Sequence, residues 1–146
     1  MASRIVLKDA SLLRSACLIG GEWVGADGGG TIKVDNPATG DVLGTVPNMG
    51  AAETRRAIEG ANAALPAWRA RTAKERAAIL RKWFELIMAN QEDLATLMTA
   101  EQGKPLTESR GEIAYAASFI EWFAEEAKRV YGDTIPPITA DRRSRW

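Results

Sequence analysis

The stretch that decides the fold lies between residues 101 and 136. It is made of three segments: EQGKP at 101–105, SFIEWFAEE at 118–126 and YGDTIP at 131–136. Gly103 is predicted to end one helix, because glycine readily adopts the left-handed conformation found at helix C-termini. Pro105 is predicted to open the next helix, since proline is tolerated in a first turn. That second helix is predicted to run roughly from Leu106 to Tyr131 and to end at Gly132.

This last predicted helix has two apolar faces. Tyr115, Phe119 and Trp122 recur at helical spacing and form an aromatic face. The other face consists of Ile113, Ala116, Ala117, Ile120, Phe123, Ala124 and Ala127. A helix that is apolar on two sides is normally buried on two sides. We expect that the three aromatic side chains of the first face are not all enclosed by this chain alone.

Helical periodicity extends back to Ala51. An alanine-rich helix is predicted over Ala51–Ala64, stopping before Pro66, because proline removes a hydrogen bond from a helix interior. Thr72 and Glu75 have the spacing of a capping box and open a second helix. Its apolar stripe is Leu80, Trp83, Phe84, Ile87 and Met88. Asn90 is predicted to cap a third helix, with Asp93 at its third position.

The first third of the chain has the pattern of short strands. Cys17–Val24 and Thr31–Asp35 are predicted strands, joined by the glycine-rich run 25–30 as a hairpin connection. Residues 35–40 (DNPATG) are predicted to form a turn, since Asn-Pro favours turn initiation. A third strand is predicted over 41–46.

Composition excludes several classes of function. The 146 residues carry 19 basic and 19 acidic side chains, so no overall charge attracts nucleic acid or an anionic membrane. There is no histidine, which excludes Ser-His and Cys-His catalysis and a Cys/His zinc site within this sequence. Cys17 is the single cysteine, so no internal disulfide can form, and a reducing, cytoplasmic location is expected. Cys17 itself is interpreted as a structural strand residue.

The three opening segments, together with residues 19–23 (IGGEW) and 36–47 (NPATGDVLGTVP), resemble the N-terminal part of the aldehyde dehydrogenase superfamily. The likeness is strongest to its NADP-dependent succinate-semialdehyde dehydrogenases and extends over about residues 7–143. It implies an α/β fold with a Rossmann-like nucleotide domain, a catalytic domain and a β-arm for oligomerisation. Residues 17–46 would supply short strands, 51–131 helices and 132–146 the start of the arm. This part of the fold would be mostly helical, with an N-terminal β-hairpin.

The resemblance also implies a reaction. Members oxidise an aldehyde with NADP or NAD, and this branch converts succinate semialdehyde to succinate; a dehydrogenase for glutarate semialdehyde is an alternative. The catalytic cysteine, the general-base glutamate and the nucleotide motifs of the family lie beyond Trp146, so no catalytic or cofactor-binding residue is assigned here. We expect this chain to be an inactive, truncated piece of a homo-oligomeric enzyme, and not to bind the cofactor tightly. A non-catalytic interaction module is the alternative from another class.

Two candidate sites follow from the resemblance. Tyr115, Phe119 and Trp122 would line the tunnel that leads the aldehyde to the thiolate, although an aromatic stripe is more often core. Glu101, with a backbone carbonyl of Asp35 or Val34, matches a structural monovalent-cation site, and the alternative is a solvated helix end. The glycine run 25–30 is not expected to hold phosphate, because it is predicted to lie between two strands.

Overall fold

The computed structural model describes residues 5–135 and 144–145. In the described residues a 3-10 turn, Ala10–Leu12, precedes two pairs of strands and four helices, and a third, short pair of strands follows the helices. The strands are β1 (Cys17–Ile19), β2 (Glu22–Val24), β3 (Thr31–Asp35), β4 (Val42–Pro47), β5 (Thr134–Ile135) and β6 (Ser144–Arg145). The helices are α1 (Ala51–Ala70), α2 (Ala73–Ala89), α3 (Gln91–Gln102) and α4 (Leu106–Glu126). Within the described residues, no helix is long and apolar enough to cross a membrane.

The N-terminal strands form two separate antiparallel hairpins. β1 pairs with β2, so the predicted single strand over Cys17–Val24 is wrong. Gly20 and Gly21 reverse the chain there, with φ of 61° and 92°, a conformation that glycine adopts without steric cost. β3 pairs with β4 instead of with the first strands. The glycine run 25–30 is therefore a link between two sheets, and its prediction as a hairpin connection is also wrong.

The turn between β3 and β4 follows the prediction. The Asn36 side-chain oxygen accepts a hydrogen bond from the backbone N–H of Ala38 at 2.9 Å. Gly40 closes the turn with φ of 76°. A register shift between Val34 and Asp35 bends the hairpin at this end. The following strand starts at Val42, one residue later than predicted.

Helix α1 passes through Pro66, which corrects the predicted stop at Ala64. Proline costs an interior helix roughly 3 kcal/mol, but strong helix formers on both sides can propagate the helix across one missing bond. Ala63 and Ala64 precede Pro66, and Ala67 follows it. Most of α1 is exposed, so little packing opposes the altered geometry at the proline.

The core lies where α2 and α3 pack against α4. Its buried residues are small: Ala77 on α2, Ala95 on α3, and Ala117 and Ala124 on α4. Ser109 is fully buried, and its hydroxyl lies 2.8 Å from that of Thr99, so both polar groups are satisfied across the α3–α4 contact. Small side chains let the helices approach closely. Larger apolar residues of the predicted stripes, including Trp83 and Phe123, are exposed instead.

Helix ends agree with the sequence in part. The Thr72–Glu75 capping box is present, with Glu75 accepting from the Thr72 N–H at 2.8 Å. Gly103 ends α3 in the left-handed conformation, as predicted. Asn90 precedes α3 but makes no capping hydrogen bond with its side chain. Helix α4 ends at Glu126, earlier than predicted, so Gly132 does not terminate it.

Candidate functional site

The aromatic residues of α4 form one wall of an open groove of about 690 Å³. The rings of Tyr115 and Phe119 meet edge to face, with centroids 4.8 Å apart and an interplanar angle of 77°. Trp122 extends the same face by one turn. The groove is lined by Tyr115, Ser118, Phe119, Glu121, Trp122, Phe123 and Glu125. It is thus a mainly apolar surface with carboxylates at one edge.

Helix packing explains why this face is open. Ser109, Ala117 and Ala124 on the opposite side of α4 are buried, which turns the aromatic stripe outward. Tyr115, Phe119 and Trp122 keep 66%, 47% and 59% of their surface exposed. The expectation that these three residues are not all enclosed by this chain is therefore confirmed.

An ion pair fixes the acidic edge of the groove. The Arg81 guanidinium on α2 donates to the Glu121 carboxylate at 2.6 Å. Glu125, one turn further along, also lines the groove. The Arg81 cation offsets the charge of Glu121, and the lining of the groove contains no basic side chain. The groove is therefore a mainly apolar surface that suits an uncharged carbon chain.

Glu101 contributes to a second, smaller cavity of about 180 Å³. Its walls are Leu13, Arg14, Ser15, Val34, Leu43, Gly44, Thr45, Val46 and Glu101. Of the two backbone positions that the sequence proposed as partners of Glu101, Val34 belongs to this wall and Asp35 does not. The Arg14 guanidinium is stacked on the Trp23 ring, 4.8 Å from its centroid. The cavity thus brings one carboxylate close to the backbone of the β3–β4 hairpin.

A cation in this cavity would need backbone oxygens. Within the described residues, no three side chains of the His, Cys, Asp or Glu type come together as a metal-binding group. Carbonyl and single-carboxylate ligands suit a hard cation held by oxygen. The donor set around Glu101 is compatible with that chemistry, but not with a zinc-like centre.

Cys17 is half-buried in β1 and is a free thiol. Its environment agrees with a structural role. Lys104, between α3 and α4, is half-buried and forms an ion pair with Glu112. The sequence pattern offered no way to foresee that pairing, because the partner lies eight residues away, beyond the turn between α3 and α4.

One buried carboxylate was missed by the sequence analysis. Glu53, in the first turn of α1, accepts the N–H of Gly50 and the N–H of Asp27, each at 3.0 Å. The Asp27 carboxylate in turn pairs with both terminal nitrogens of Arg56 at 2.7 Å. We call Asp27, Glu53 and Arg56 the clasp, because together they fix the glycine run to α1. The spacing of Gly50 and Glu53, that of a capping box, was the available clue.

The clasp carboxylates favour their charged forms. The backbone N–H of Asp27 lowers the pKa of Glu53 below its ordinary value, with further help from the amides of its own helix turn. The hydrogen bonds from Arg56 lower the pKa of Asp27 in the same way. Both shifts arise because hydrogen bonds to the ionised carboxylate stabilise it.

The glycine run 25–30 and the first turns of α1 and α2 do not fit a dinucleotide phosphate. A phosphate needs free N–H groups at a helix N-terminus, usually after a strand and a glycine turn. The order β4, Gly50, α1 has that form, but the carboxylate of Glu53 already occupies the amide of Gly50. At the start of α2, Thr72 and Glu75 occupy each other's N–H groups. The glycine run 25–30 precedes a strand, so it offers no helix dipole either.

This arrangement of two hairpins followed by four helices is that of a known family. Residues 23–145 match the family model described as the aldehyde dehydrogenase family, and the chain belongs to that family. The predicted fold class is therefore confirmed. Members of this family are oxidoreductases that use NAD(P).

Several curated relatives are semialdehyde dehydrogenases. The chain is 72% identical over 137 residues to glutarate-semialdehyde dehydrogenase of Pseudomonas putida. It is 67% identical to the NADP(+) succinate-semialdehyde dehydrogenase of Escherichia coli. Each match covers 94% of this chain and 28% of the relative. The chain thus spans little more than a quarter of the length of these relatives.

Solved structures show the same fold. Succinate-semialdehyde dehydrogenase from Burkholderia pseudomallei matches with a TM-score of 0.91 and 66% identity, covering 94% of this chain and 28% of that one. Betaine aldehyde dehydrogenase from Staphylococcus aureus, solved with NAD+, matches with a TM-score of 0.87 at 29% identity, covering 93% and 28%.

Proposed function

We propose that this chain is the N-terminal part of an NAD(P)-dependent dehydrogenase that oxidises succinate semialdehyde to succinate in the cytoplasm. The observation that carries the proposal is the family match over residues 23–145 together with relatives that act on semialdehydes. The whole enzyme would be a homo-oligomer. Its arm would begin within residues 132–146, of which 136–143 and 146 lie outside the described residues. The nicotinamide cofactor and the reacting groups would be held by other parts of the enzyme, since the glycine run 25–30 and the first turns of α1 and α2 do not fit a dinucleotide phosphate.

In this proposal the chain supplies a wall of the substrate tunnel. Tyr115, Phe119 and Trp122 would pack against the short carbon chain of the aldehyde and exclude water from it. Their aromatic faces are exposed and rigidly spaced on α4, which supports this role. The lining of this wall has no basic side chain that would hold the substrate carboxylate. A cation or hydroxyl elsewhere in the enzyme would bind that carboxylate.

A chimera provides the test. It joins residues 1–135 of this chain to the remainder of the Escherichia coli succinate-semialdehyde dehydrogenase. Replacing Tyr115, Phe119 or Trp122 by alanine is expected to lower kcat/KM for succinate semialdehyde by roughly tenfold to a hundredfold, because each ring loses about 1.5–3 kcal/mol of apolar contact. NADPH formation measures the effect.

The matched control is Tyr131→Ala. Tyr131 is an exposed aromatic residue that does not line the groove. Its replacement is expected to leave kcat/KM within about twofold of the parent chimera, as is usual for a surface site. If the three wall variants behave like this control, the tunnel role is wrong and the stripe serves packing alone.

A second candidate substrate is glutarate semialdehyde. It is favoured by the relatives from Pseudomonas putida and Pseudomonas aeruginosa, which carry that name and are 72% and 69% identical. The two aldehydes differ by one methylene, which a hydrophobic site distinguishes by only about 1–3 kcal/mol. Comparing kcat/KM for both aldehydes in the chimera and its wall variants would show whether α4 contributes to that choice.

A non-catalytic interaction module is the alternative from another class. The 146-residue chain alone is expected to form no NADPH, because the family's thiolate and base are not assigned to any of its residues. Turnover by the chain alone that survives Cys17→Ser would contradict this assignment. An inactive chimera that still folds and assembles would favour the interaction module.

A further inference from the structure

The N-terminal residues 5–15 cross the molecule as a strap with one strong attachment. The carboxylate of Asp93 accepts the backbone N–H of Lys8 at 2.9 Å and that of Asp9 at 2.8 Å. Asp93 lies in the first turn of α3, 84 and 85 positions along the chain, and is 92% buried, with a relative exposure of 8%. Two N–H groups in a row on one ionised carboxylate form a strong and directional contact.

Residues of the strap line two cavities between α3 and the β3–β4 hairpin. Ile5 and Val6 line a cavity with Leu43 and the second half of α3. Leu13, Arg14 and Ser15 line the cavity that contains Glu101, and Leu43 is again part of its wall. The first and last residues of the strap thus line two cavities that share the strand residue Leu43. The stacking of Arg14 on Trp23 holds the last residues of the strap.

The contacts of Asp93 differ from those usual for a carboxylate in the first turn of a helix. At the third position of α3 it could cap its own helix, but both carboxylate oxygens bind the strap instead. The positive end of the α3 dipole favours the charged carboxylate there. Its neighbour Glu92 is exposed and pairs with Arg110, which shows that the adjacent carboxylate serves a different contact.

We propose that Asp93 is a positioning residue that latches the strap over α3 and β4, and so sets access to the cavity containing Glu101. Loss of the latch would free residues 5–15 and uncover Leu43, while the α2–α4 packing stayed intact. This control of access would operate whether or not a cation or an aldehyde is bound.

Thiol labelling in the chimera tests the latch. Leu43→Cys in a Cys17→Ser background places a reporter under the strap, and its rate with a soluble maleimide is followed. Asp93→Asn removes the charge and one of the two acceptors. It is expected to speed labelling about tenfold or more, because a hydrogen bond to a charged group is lost from a local opening. Trypsin cleavage after Arg14 is expected to accelerate in parallel.

Glu92→Gln is the matched control, because it makes the same change of charge one residue away. It is expected to leave the labelling of Leu43→Cys and the cleavage after Arg14 unchanged. Lys8→Pro removes one N–H donor and leaves α3 untouched, so it is expected to speed both reactions even if Asp93→Asn unfolds the helix. Unchanged rates in Lys8→Pro, or equal acceleration in Glu92→Gln, would overturn the latch.

Discussion

At the scale of single residues, Gly103 shows how a local rule and a long-range contact agree. Its left-handed φ of 74° ends α3, which the sequence predicted. The structure adds a second constraint that no local pattern contains. A Cβ atom at this position would lie 3.0 Å from the ring of Pro37, in the turn between β3 and β4. Glycine here therefore permits both the helix end and the close approach of the hairpin that brings Val34 towards Glu101.

Glu101 carries the first prediction at this scale. A monovalent cation bound between its carboxylate and the hairpin carbonyls would stabilise the folded state by mass action. In the chimera, replacing choline chloride by potassium chloride at constant ionic strength is expected to raise the Tm by a few degrees, about 1–2 kcal/mol. Glu101→Gln is expected to abolish this rise.

Glu108→Gln serves as the control for charge, since Glu108 is exposed in the first turn of α4 and does not line the cavity. It is expected to keep the potassium effect. Retention of the effect in Glu101→Gln would show that the cation site is elsewhere and that Glu101 only solvates a helix end.

At the scale of elements, the clasp decides how the two hairpins meet α1. The glycine run 25–30 has little intrinsic preference for one path, so its position comes from Glu53 and from the Asp27–Arg56 pair. Neither contact can be inferred from the run itself. The glycine run is therefore a connection that is held in place at Asp27.

The clasp is expected to be sensitive to acid. Both carboxylates have pKa values lowered by folding, Glu53 through the N–H of Asp27 and Asp27 through Arg56. A lowered pKa contributes stability that is fully present above the ordinary value, about 4, and is lost as pH falls through the lower folded value. Protection of the 25–30 amides from hydrogen exchange in the chimera is therefore expected to hold down to about pH 4 and to fall below it.

Glu53→Gln removes one titrating group from the clasp. It is expected to weaken protection at neutral pH and to flatten its fall in acid. Glu59→Gln, an exposed change on the same helix, is the matched control and is expected to follow the parent. An acid profile that is the same in the parent and in Glu53→Gln would show that these carboxylates do not hold the link.

Features that depend on residues close together in the sequence were predictable, and features that depend on tertiary contacts were not. The Thr72 capping box, the Asn36 turn and the Gly103 helix end depend on residues within a few positions, and the sequence located each. The predicted helix stop before Pro66 was wrong because the helix propensity of the residues on both sides outweighs the loss of one backbone hydrogen bond. The pairing of β1 with β2, the Asp93 latch and the Glu53 contact depend on tertiary neighbours, which periodicity does not reveal.

The candidate site divides in the same way. The aromatic stripe of α4 was visible in the sequence as Tyr115, Phe119 and Trp122 at helical spacing. Its exposure could be expected because the helix has a second apolar face, and that second face is the one packed against the rest of the chain. The cavity at Glu101 came from the resemblance to a family, and the structure supplied its walls. The role of residues 5–15 in those walls had no counterpart in the sequence pattern, because no motif marks a strap that is held by one distant carboxylate.

At the scale of the whole molecule, the chain exposes more surface than a compact folded monomer of its mass. A folded monomer of 15.8 kDa is expected to expose about 7,300 Å², from the scaling of surface with mass. This chain exposes 11064 Å². Its buried core consists of alanines, while Trp83, Phe119, Trp122 and Phe123 remain about half exposed. The fold therefore has apolar surface that suits further packing, in agreement with its span of 28% of the relatives.

The 146-residue chain alone is expected to be loosely packed and prone to association. Each large apolar side chain left in water forfeits about 1.5–3 kcal/mol, against a total of about 5–15 kcal/mol for a typical domain. Far-UV circular dichroism should still show the four helices, while thermal unfolding should be broad and ANS binding strong. The chimera, in which these faces are covered, should melt sharply and bind little ANS. A soluble monomer of the chain alone with a sharp two-state melt would show instead that it is an independent domain, because its exposed aromatic faces would then need no further layer to hold the helices together.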